Sequence, residues 1–311
     1  MSALADLPLS RLMLGTVQFG MPYGIANRSG QPDYETVRAI LSAAYEGGVR
    51  CLDTAAAYGT SEETLGRALA ELGLADRMTV VTKIMPLTEA YPTERAAALI
   101  EESVVRSLQR LRVEALPVCL FHWEENSRYA EALLQLKMRG LVQHVGCSVT
   151  TPQGAASLLA SGWVEVLQVP ANLLDRRFTG ATICGQAQTQ GILMFGRSVY
   201  LQGLLLMPEA DIPAHLAEVI PTRRRLAHLA AEAGMGMQEL ALRYLLGVEG
   251  IACVLAGVET PEQIWENTLF CARGPLDEAL RHAIDATVPA LPDSLLDPGQ
   301  WAQRTLRSEP K

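Results

Sequence analysis

The stretch Cys51-Leu-Asp-Thr-Ala-Ala-Ala-Tyr-Gly59 begins as a short apolar strand and breaks into a loop of small residues carrying an acid and a phenol. Two further stretches share the pattern. Met78-Thr-Val-Val-Thr82 runs into Lys83, and Leu116-Pro-Val-Cys-Leu120 runs into Phe121-His122-Trp123. Each is short, rich in β-formers and closed by an ionisable side chain. Asp53, Tyr58, Lys83 and His122 share one pocket only if these strands lie side by side. The surrounding sequence has to place them there.

Outward from these segments, strand-like and helix-like patterns alternate along the chain. Strands are predicted at 11–15, 49–52, 78–82, 116–121, 142–147, 164–169, 192–195 and 252–256. Helices are predicted at 34–46, from Ser61 (read as an N-cap, with Glu62 and Glu63 in the first turn), and at 93–111, 129–139 and 152–161 behind Thr151. More follow at 176–190, 221–233, 238–246 and 261–272. The strands are continuous apolar runs, as expected for parallel strands covered on both faces. Eight strand-then-helix units at roughly thirty-residue spacing fit an α/β-class (β/α)8, or TIM, barrel. A doubly wound sheet would carry a G-x-G-x-x-G turn after its first strand, and Gly15-Thr-Val-Gln-Phe-Gly20 has the wrong spacing. The expectation is one barrel domain over 1–311, with a helix near 276–286 and a Pro-rich tail appended from about 275. In such a barrel the C-terminal strand ends converge on one face, where active sites are built.

Bulk properties narrow the function. The chain has 311 residues, 49% of them hydrophobic, and a formal net charge of −8. That balance argues against nucleic acid or an anionic membrane as the main partner. Residues 1–6 lack the basic-then-apolar pattern of a secretory leader, and no apolar run reaches spanning length, so a cytoplasmic location is expected. The six cysteines include no C-x-x-C pair, and Cys51, Cys119, Cys147 and Cys253 lie in apolar runs, where thiols behave as small hydrophobes. The five histidines form no H-x-H or H-E-x-x-H, so no metal site is expected; His144, His215, His228 and His282 read as surface or helix-face residues.

Several motifs in fixed order now resemble the aldo-keto reductase superfamily, as a bacterial member, from Leu12 to the tail. They are Leu14-Gly-Thr16; Asp53-Thr-Ala with Tyr58-Gly59 and Ser61-Glu62; Thr82-Lys83; His122-Trp123; the loop Arg197-Ser-Val-Tyr-Leu-Gln-Gly203; and Gly257-Val-Glu-Thr-Pro-Glu-Gln263 with Asn267. The resemblance implies an NAD(P)-dependent oxidoreductase that transfers a hydride between nicotinamide and a carbonyl or alcohol, the cofactor lying extended across the strand ends. Asp53, Tyr58, Lys83 and His122 would be its catalytic residues.

The chemistry of those four residues agrees. Hydride addition to a carbonyl leaves an alkoxide, which needs a proton donor and a group that stabilises negative charge. A free tyrosine has a pKa of about 10, but an ammonium about 4 Å away favours phenolate by roughly 4 kcal/mol at an effective dielectric near 20. On that reckoning Lys83 brings Tyr58 close to neutrality, Asp53 keeps Lys83 charged, and neutral His122 orients the carbonyl.

For the cofactor, the resemblance implies Thr16 in the first strand, Ser148 and Gln168 on the nicotinamide carboxamide, and Ser198, Leu201 and Gly203 presenting backbone amides to the pyrophosphate. Val149 follows Ser148 where the family commonly has Asn, so Asn172 is a candidate to supply the missing hydrogen bond. Arg197 stands where many members stack a tyrosine; stacking, pairing with the pyrophosphate and a salt bridge to a neighbouring loop all remain open. Gly257, Val258, Glu259, Gln263 and Asn267 would grip the adenosine end. That loop has no base for a 2′-phosphate, and Glu259 would repel one, which places NAD(H) a close second to NADP(H). The first loop, Gln18-Phe-Gly-Met-Pro-Tyr-Gly24, with Tyr23 in it, Trp123 and the tail around Trp301 are candidates to wall a pocket for a small-molecule carbonyl or sugar. Two other readings keep the same residues: an aldose or lactol dehydrogenase working in the oxidative direction, and a nicotinamide-binding regulatory barrel with little turnover.

Overall fold

A computed structural model describes residues 7–301. The leader reading over 1–6 and the tail beyond Trp301 lie outside them. Eight parallel strands close into a barrel in chain order: β1 (Leu12–Gly15), β2 (Cys51–Asp53), β3 (Thr79–Lys83), β4 (Leu116–Phe121), β5 (Val142–Ser148), β6 (Val166–Pro170), β7 (Leu193–Arg197) and β8 (Ile251–Gly257), with β8 pairing back onto β1. Between and after them run α1 (Tyr34–Glu46), α2 (Ser61–Glu71), α3 (Thr93–Leu111), α4 (Ala130–Met138), α5 (Pro152–Ser161), α6 (Ala181–Thr189), α7 (Ile220–Glu232), α8 (Met237–Leu246), α9 (Pro261–Ala272), α10 (Glu278–Thr287) and α11 (Asp293–Leu296). None of the helices among the described residues is long and apolar enough to cross a membrane.

Strand side chains alternate between two cores. Met13, Cys51, Val81, Val118, Leu120, Val166, Phe195 and Cys253 fill the barrel interior. Their neighbours Leu12, Leu52, Val80, Cys119, Phe121, Leu167 and Val254 face outward and pack with helix residues such as Ile40, Leu65 and Val104. Most strands are therefore apolar on both faces, which is why the sequence shows continuous runs instead of alternation; β5 is the exception, adding no residue to the interior cluster. The same two-residue period positions the site. Asp53 lies two residues past Cys51, Lys83 past Val81, His122 past Leu120, Gln168 past Val166 and Arg197 past Phe195, so each inherits the inward direction at the C-terminal end of its strand.

Four local expectations are corrected. Ser61 is not an N-cap: Thr60 holds that position without a side-chain bond, and the Ser61 hydroxyl is buried among Thr16 and Thr54. The helix expected at 176–190 is confined to α6; Arg176 reaches across the fold to Asp285 and Arg177 back to Asp175, and both lie in the loop that precedes it. His144 is no surface residue; it is buried on β5, its Nδ1 3.2 Å from Glu165, which also receives Lys137. Trp301 does not wall the mouth, for it is buried and its indole donates to Leu295 O at 3.1 Å.

Candidate active site

The loop that carries Tyr58 is held by a close backbone approach. Gly59 adopts a φ of +54°, and a Cβ there would fall 2.3 Å from Gly20 O, so glycine alone fits both the left-handed conformation and the contact. Thr60 N donates to that same Gly20 oxygen at 3.3 Å. Beneath the loop, Thr16 Oγ1 donates to Asp53 O at 2.8 Å, Ser61 Oγ donates to Thr16 O at 2.7 Å, and Thr54 Oγ1 lies 3.0 Å from Ser61 Oγ. Thr16 thus lines the cleft with its hydroxyl already engaged in fixing the β1 and β2 ends together.

At the centre, Lys83 Nζ donates to Asp53 Oδ1 at 2.7 Å, to Thr54 O at 3.0 Å and to Tyr58 Oη at 3.4 Å. Lys83 is 1% exposed and Asp53 3%. Burial is the largest single influence on the Lys83 ammonium and would depress it; the Asp53 carboxylate and Tyr58 together outweigh it, and the pKa stands above the ordinary lysine value. For Tyr58 the balance goes the other way. Burial raises the phenol above its usual 10, and the pull of Lys83 does not overcome it. The expectation of a near-neutral Tyr58 is corrected on that ground, since it left out the desolvation of a phenolate. Tyr58 is a protonated phenol at neutral pH.

His122 meets Tyr58 edge-on, ring centroids 5.5 Å apart and planes at 86°. Burial, with Lys83 and Arg197 adding to it, lowers its pKa to about 3. Its Nδ1 is buried without a partner among the described residues, so an imidazolium would have to place an unsatisfied N–H there. The ring is neutral at physiological pH. Beyond Trp123, Glu124 accepts from the Thr150 and Thr151 amides and bridges the loops after β4 and β5.

A cleft of about 720 Å³ runs from this centre toward the loop after β8. Its lining takes in all the catalytic, cofactor and entrance candidates read from the sequence except Asn172, Trp301 and Lys83, the last of which lies beneath it, in contact with Tyr58. Gln168 donates to Asp53 Oδ1 at 2.7 Å, while its Oε1 is buried and unpartnered. Asn267 accepts from Tyr200 Oη at 2.6 Å and from Gln238 at 3.1 Å, leaving its Nδ2 unpartnered. These orphans, an acceptor near the tetrad and an N–H donor at the far end, fit the carboxamide N–H of nicotinamide and a ring-nitrogen acceptor of adenine at the two ends of a nicotinamide dinucleotide. Glu259 N donates to Gln263 Oε1 at 2.7 Å, and its carboxylate accepts from Ser29 at 3.2 Å.

Two cofactor expectations change. Asn172 is outside the cleft lining, its Oδ1 taken by the Leu174 and Asp175 amides and its Nδ2 buried without a partner, so from this position it does not reach the cofactor in place of the asparagine missing after Ser148. The Leu201 and Gly203 amides close a tight turn onto Ser198 O and Tyr200 O, each at 2.9 Å, and in this conformation are not anion donors. Ser198, Leu201 and Gln202 all have positive φ there (67°, 47° and 54°), and such backbone strain concentrates at functional loops. The sequence reading also missed a strap. The loop after β1 crosses to the loop after β7 through Gln202 with Tyr23 Oη, through Ala26 N with Gln202 O, and through Arg28 with Asp211. Thr150 and Gln238 were missed as well. Gln238 carries no motif of its own; it lines the cleft beside Asn267, to which it donates.

A (β/α)8 barrel whose mouth joins a carboxylate, ammonium, phenol and neutral imidazole to a long cleft defines a cofactor-dependent oxidoreductase scaffold. A model of the aldo/keto reductase family matches residues 11–288, and the chain belongs to that family. Its activity is NAD(P)-dependent hydride transfer between a nicotinamide and a carbonyl or alcohol. A relative from Escherichia coli strain K12, described as an NADH-specific methylglyoxal reductase, is 24% identical over 297 residues, covering 84% of this chain and 90% of its own. Among solved structures, an aldo-keto reductase from Bacillus halodurans in its holo form is similar with a TM-score of 0.75 and 23% identity, over 94% of this chain and 95% of that one. A glycerol dehydrogenase from Gluconobacter oxydans gives 0.72 and 24%, over 94% and 95%. These two likenesses speak to the fold.

Proposed function

We propose that this barrel, a single domain with an appended C-terminal helix, reduces a small carbonyl compound, an aldehyde, ketone or sugar, with Tyr58 as proton donor. The observation that carries this reading is the chain from Asp53 Oδ1 through Lys83 Nζ to Tyr58 Oη, with neutral His122 edge-on to the phenol. The nicotinamide supplies the hydride when bound. Tyr58 Oη gives its proton to the carbonyl oxygen, and Lys83 stabilises the phenolate left behind. Asp53, whose Oδ1 also accepts from Gln168, keeps Lys83 charged and in place. His122, uncharged, orients the carbonyl without competing for the Tyr58 proton. Tyr23 and Trp123, 39% and 44% exposed, wall the entrance.

For the cofactor, Gln168 Oε1 and Ser148 would hold the carboxamide and Asn267 the adenine. Sequence habit favours NADP(H) narrowly, but the cleft supports NAD(H) as the preferred form. Glu259 lines the adenosine end, and the nearby base Arg28 is paired with Asp211 at 3.4 Å. The NADH specificity named for the Escherichia coli relative points the same way. The experiment is NADH and NADPH oxidation by purified protein across a panel of short aldehydes, ketones and aldoses, with Tyr58→Phe as control. Equal turnover by that variant would sink the proton-donor assignment, and a strong NADPH preference would sink the cofactor reading.

A further inference from the structure

Arg197 ends β7 pointing into the barrel mouth, yet no carboxylate among the described residues pairs with it. Its Nη2 donates to Val149 O at 3.1 Å and its Nη1 to Ser198 Oγ at 3.4 Å. The guanidinium therefore reaches across the end of β6, where Gln168 lies, to the end of β5. Its Nε is buried without a partner. The other buried cation of the mouth, Lys83, is neutralised by Asp53 at 2.7 Å. Arg197 is thus a half-buried, uncompensated charge at the tetrad end of the cleft, and its field is felt at both Tyr58 and His122.

We propose that Arg197 makes the site discriminate between redox states of the cofactor, holding the reduced, uncharged nicotinamide ring more tightly than the oxidised, cationic one. This rests on the nicotinamide reading above and deepens it. The two forms of the dinucleotide carry the same pyrophosphate charge and differ by one positive charge, located on the ring. A cation at the ring end repels only the oxidised form. A cation at the pyrophosphate would strengthen both forms alike. The hydrogen bond to Val149 O draws the guanidinium toward the β5 and β6 ends, where Ser148 and Gln168 lie, and so favours the ring. Weak retention of the oxidised form after turnover would then bias the protein toward carbonyl reduction at ordinary cofactor levels.

The test is equilibrium binding, read by intrinsic fluorescence quenching and calorimetry, of NADH, NAD+, NADPH and NADP+ to wild type, Arg197→Gln and Arg197→Lys. Wild type should bind the reduced form of its preferred cofactor at least about tenfold tighter than the oxidised form, a ratio equivalent to about 1.4 kcal/mol. Arg197→Gln should collapse that ratio toward one, chiefly by improving binding of the oxidised form, and Arg197→Lys should retain most of it. Equal wild-type affinities for the two forms overturn the proposal. So does an Arg197→Gln variant that weakens both forms by the same factor, which would assign the residue to the pyrophosphate. Should the Gln variant not fold, the wild-type ratio and the Lys variant decide. If wild type binds no nicotinamide dinucleotide at all, the failure belongs to the proposed function itself.

Discussion

Replacing His122 by Gln should remove much of the acid sensitivity of the folded state. In the unfolded chain this imidazole titrates near its ordinary 6.5; in the barrel mouth it is pushed down to about 3, by burial first and then by Lys83 and Arg197. The folded value lies below the unfolded one, so the fold favours the neutral ring. That contribution is complete above the unfolded pKa and is lost as pH falls through the window from about 6.5 to about 3. At pH 4 the unfolded chain holds almost a full proton at this site and the folded chain only about a tenth of one. The difference corresponds to about 3 kcal/mol of stability lost between pH 7 and pH 4 from this residue alone. Urea unfolding at both pH values should show the variant spared roughly that amount, because every other titrating group is common to the two proteins. Imidazole ¹⁵N shifts give an independent check: His122 should remain neutral at pH 5. A midpoint near 6.5, or equal acid losses in wild type and variant, would refute the claim that burial keeps this ring uncharged, and with it the role of His122 as a neutral donor to the carbonyl.

Three further outcomes follow from the same geometry. Tyr58→Phe should lower carbonyl reduction by about 10²–10⁴-fold, the range for loss of a positioned acid, while the dissociation constant for reduced cofactor changes by less than about threefold in fluorescence titration. Lys83→Met leaves Asp53 buried without its cation and should reduce urea stability by about 3–5 kcal/mol, much of it recovered in Lys83→Met with Asp53→Asn; an undiminished midpoint in the single variant would mean the pair is not held as described. Glu259→Lys should strengthen NADPH binding relative to NADH by about tenfold, since it replaces a repelling carboxylate with a partner for the 2′-phosphate. No change in the NADPH to NADH ratio would remove Glu259 from the adenosine end.

What the sequence made legible was whatever repeats with a local period. The alternation of apolar runs with helical segments yields eight units because each helix satisfies its backbone internally, each strand satisfies its own only through its neighbours, and both must bury an apolar face. Helices α1, α3, α5 and α9 begin and end where their periodicity does, and Thr151 caps α5 as expected. Asp53, Lys83 and His122 were visible because they interrupt or close apolar strands, and in a barrel that one fact fixes their direction. Ser61 and His144 misled for the converse reason. Each has a common local explanation, as a cap or as a surface histidine. Their partners Thr16 and Glu165 are distant or non-helical neighbours that no single window contains.

The acidity of Tyr58 shows where counting charges from sequence breaks down. Proximity to Lys83 was inferred correctly in kind, and the contact exists at 3.4 Å. Yet a Coulomb term taken alone treats the phenol as if only its neighbour changed on folding. Folding also withdraws the phenolate from water and brings Asp53, whose charge acts on Tyr58 in the opposite sense to that of Lys83. The Asp53–Lys83 pair is close to neutral as a unit, so at the phenol it presents a weaker field than a bare ammonium would. A phenol kept protonated in this way is poised to act once charge develops on a carbonyl oxygen beside it, because an alkoxide is a far stronger base than a phenolate. The pair at Asp53 and Lys83 therefore serves proton donation by making the resulting phenolate tolerable during the reaction, without ionising Tyr58 beforehand.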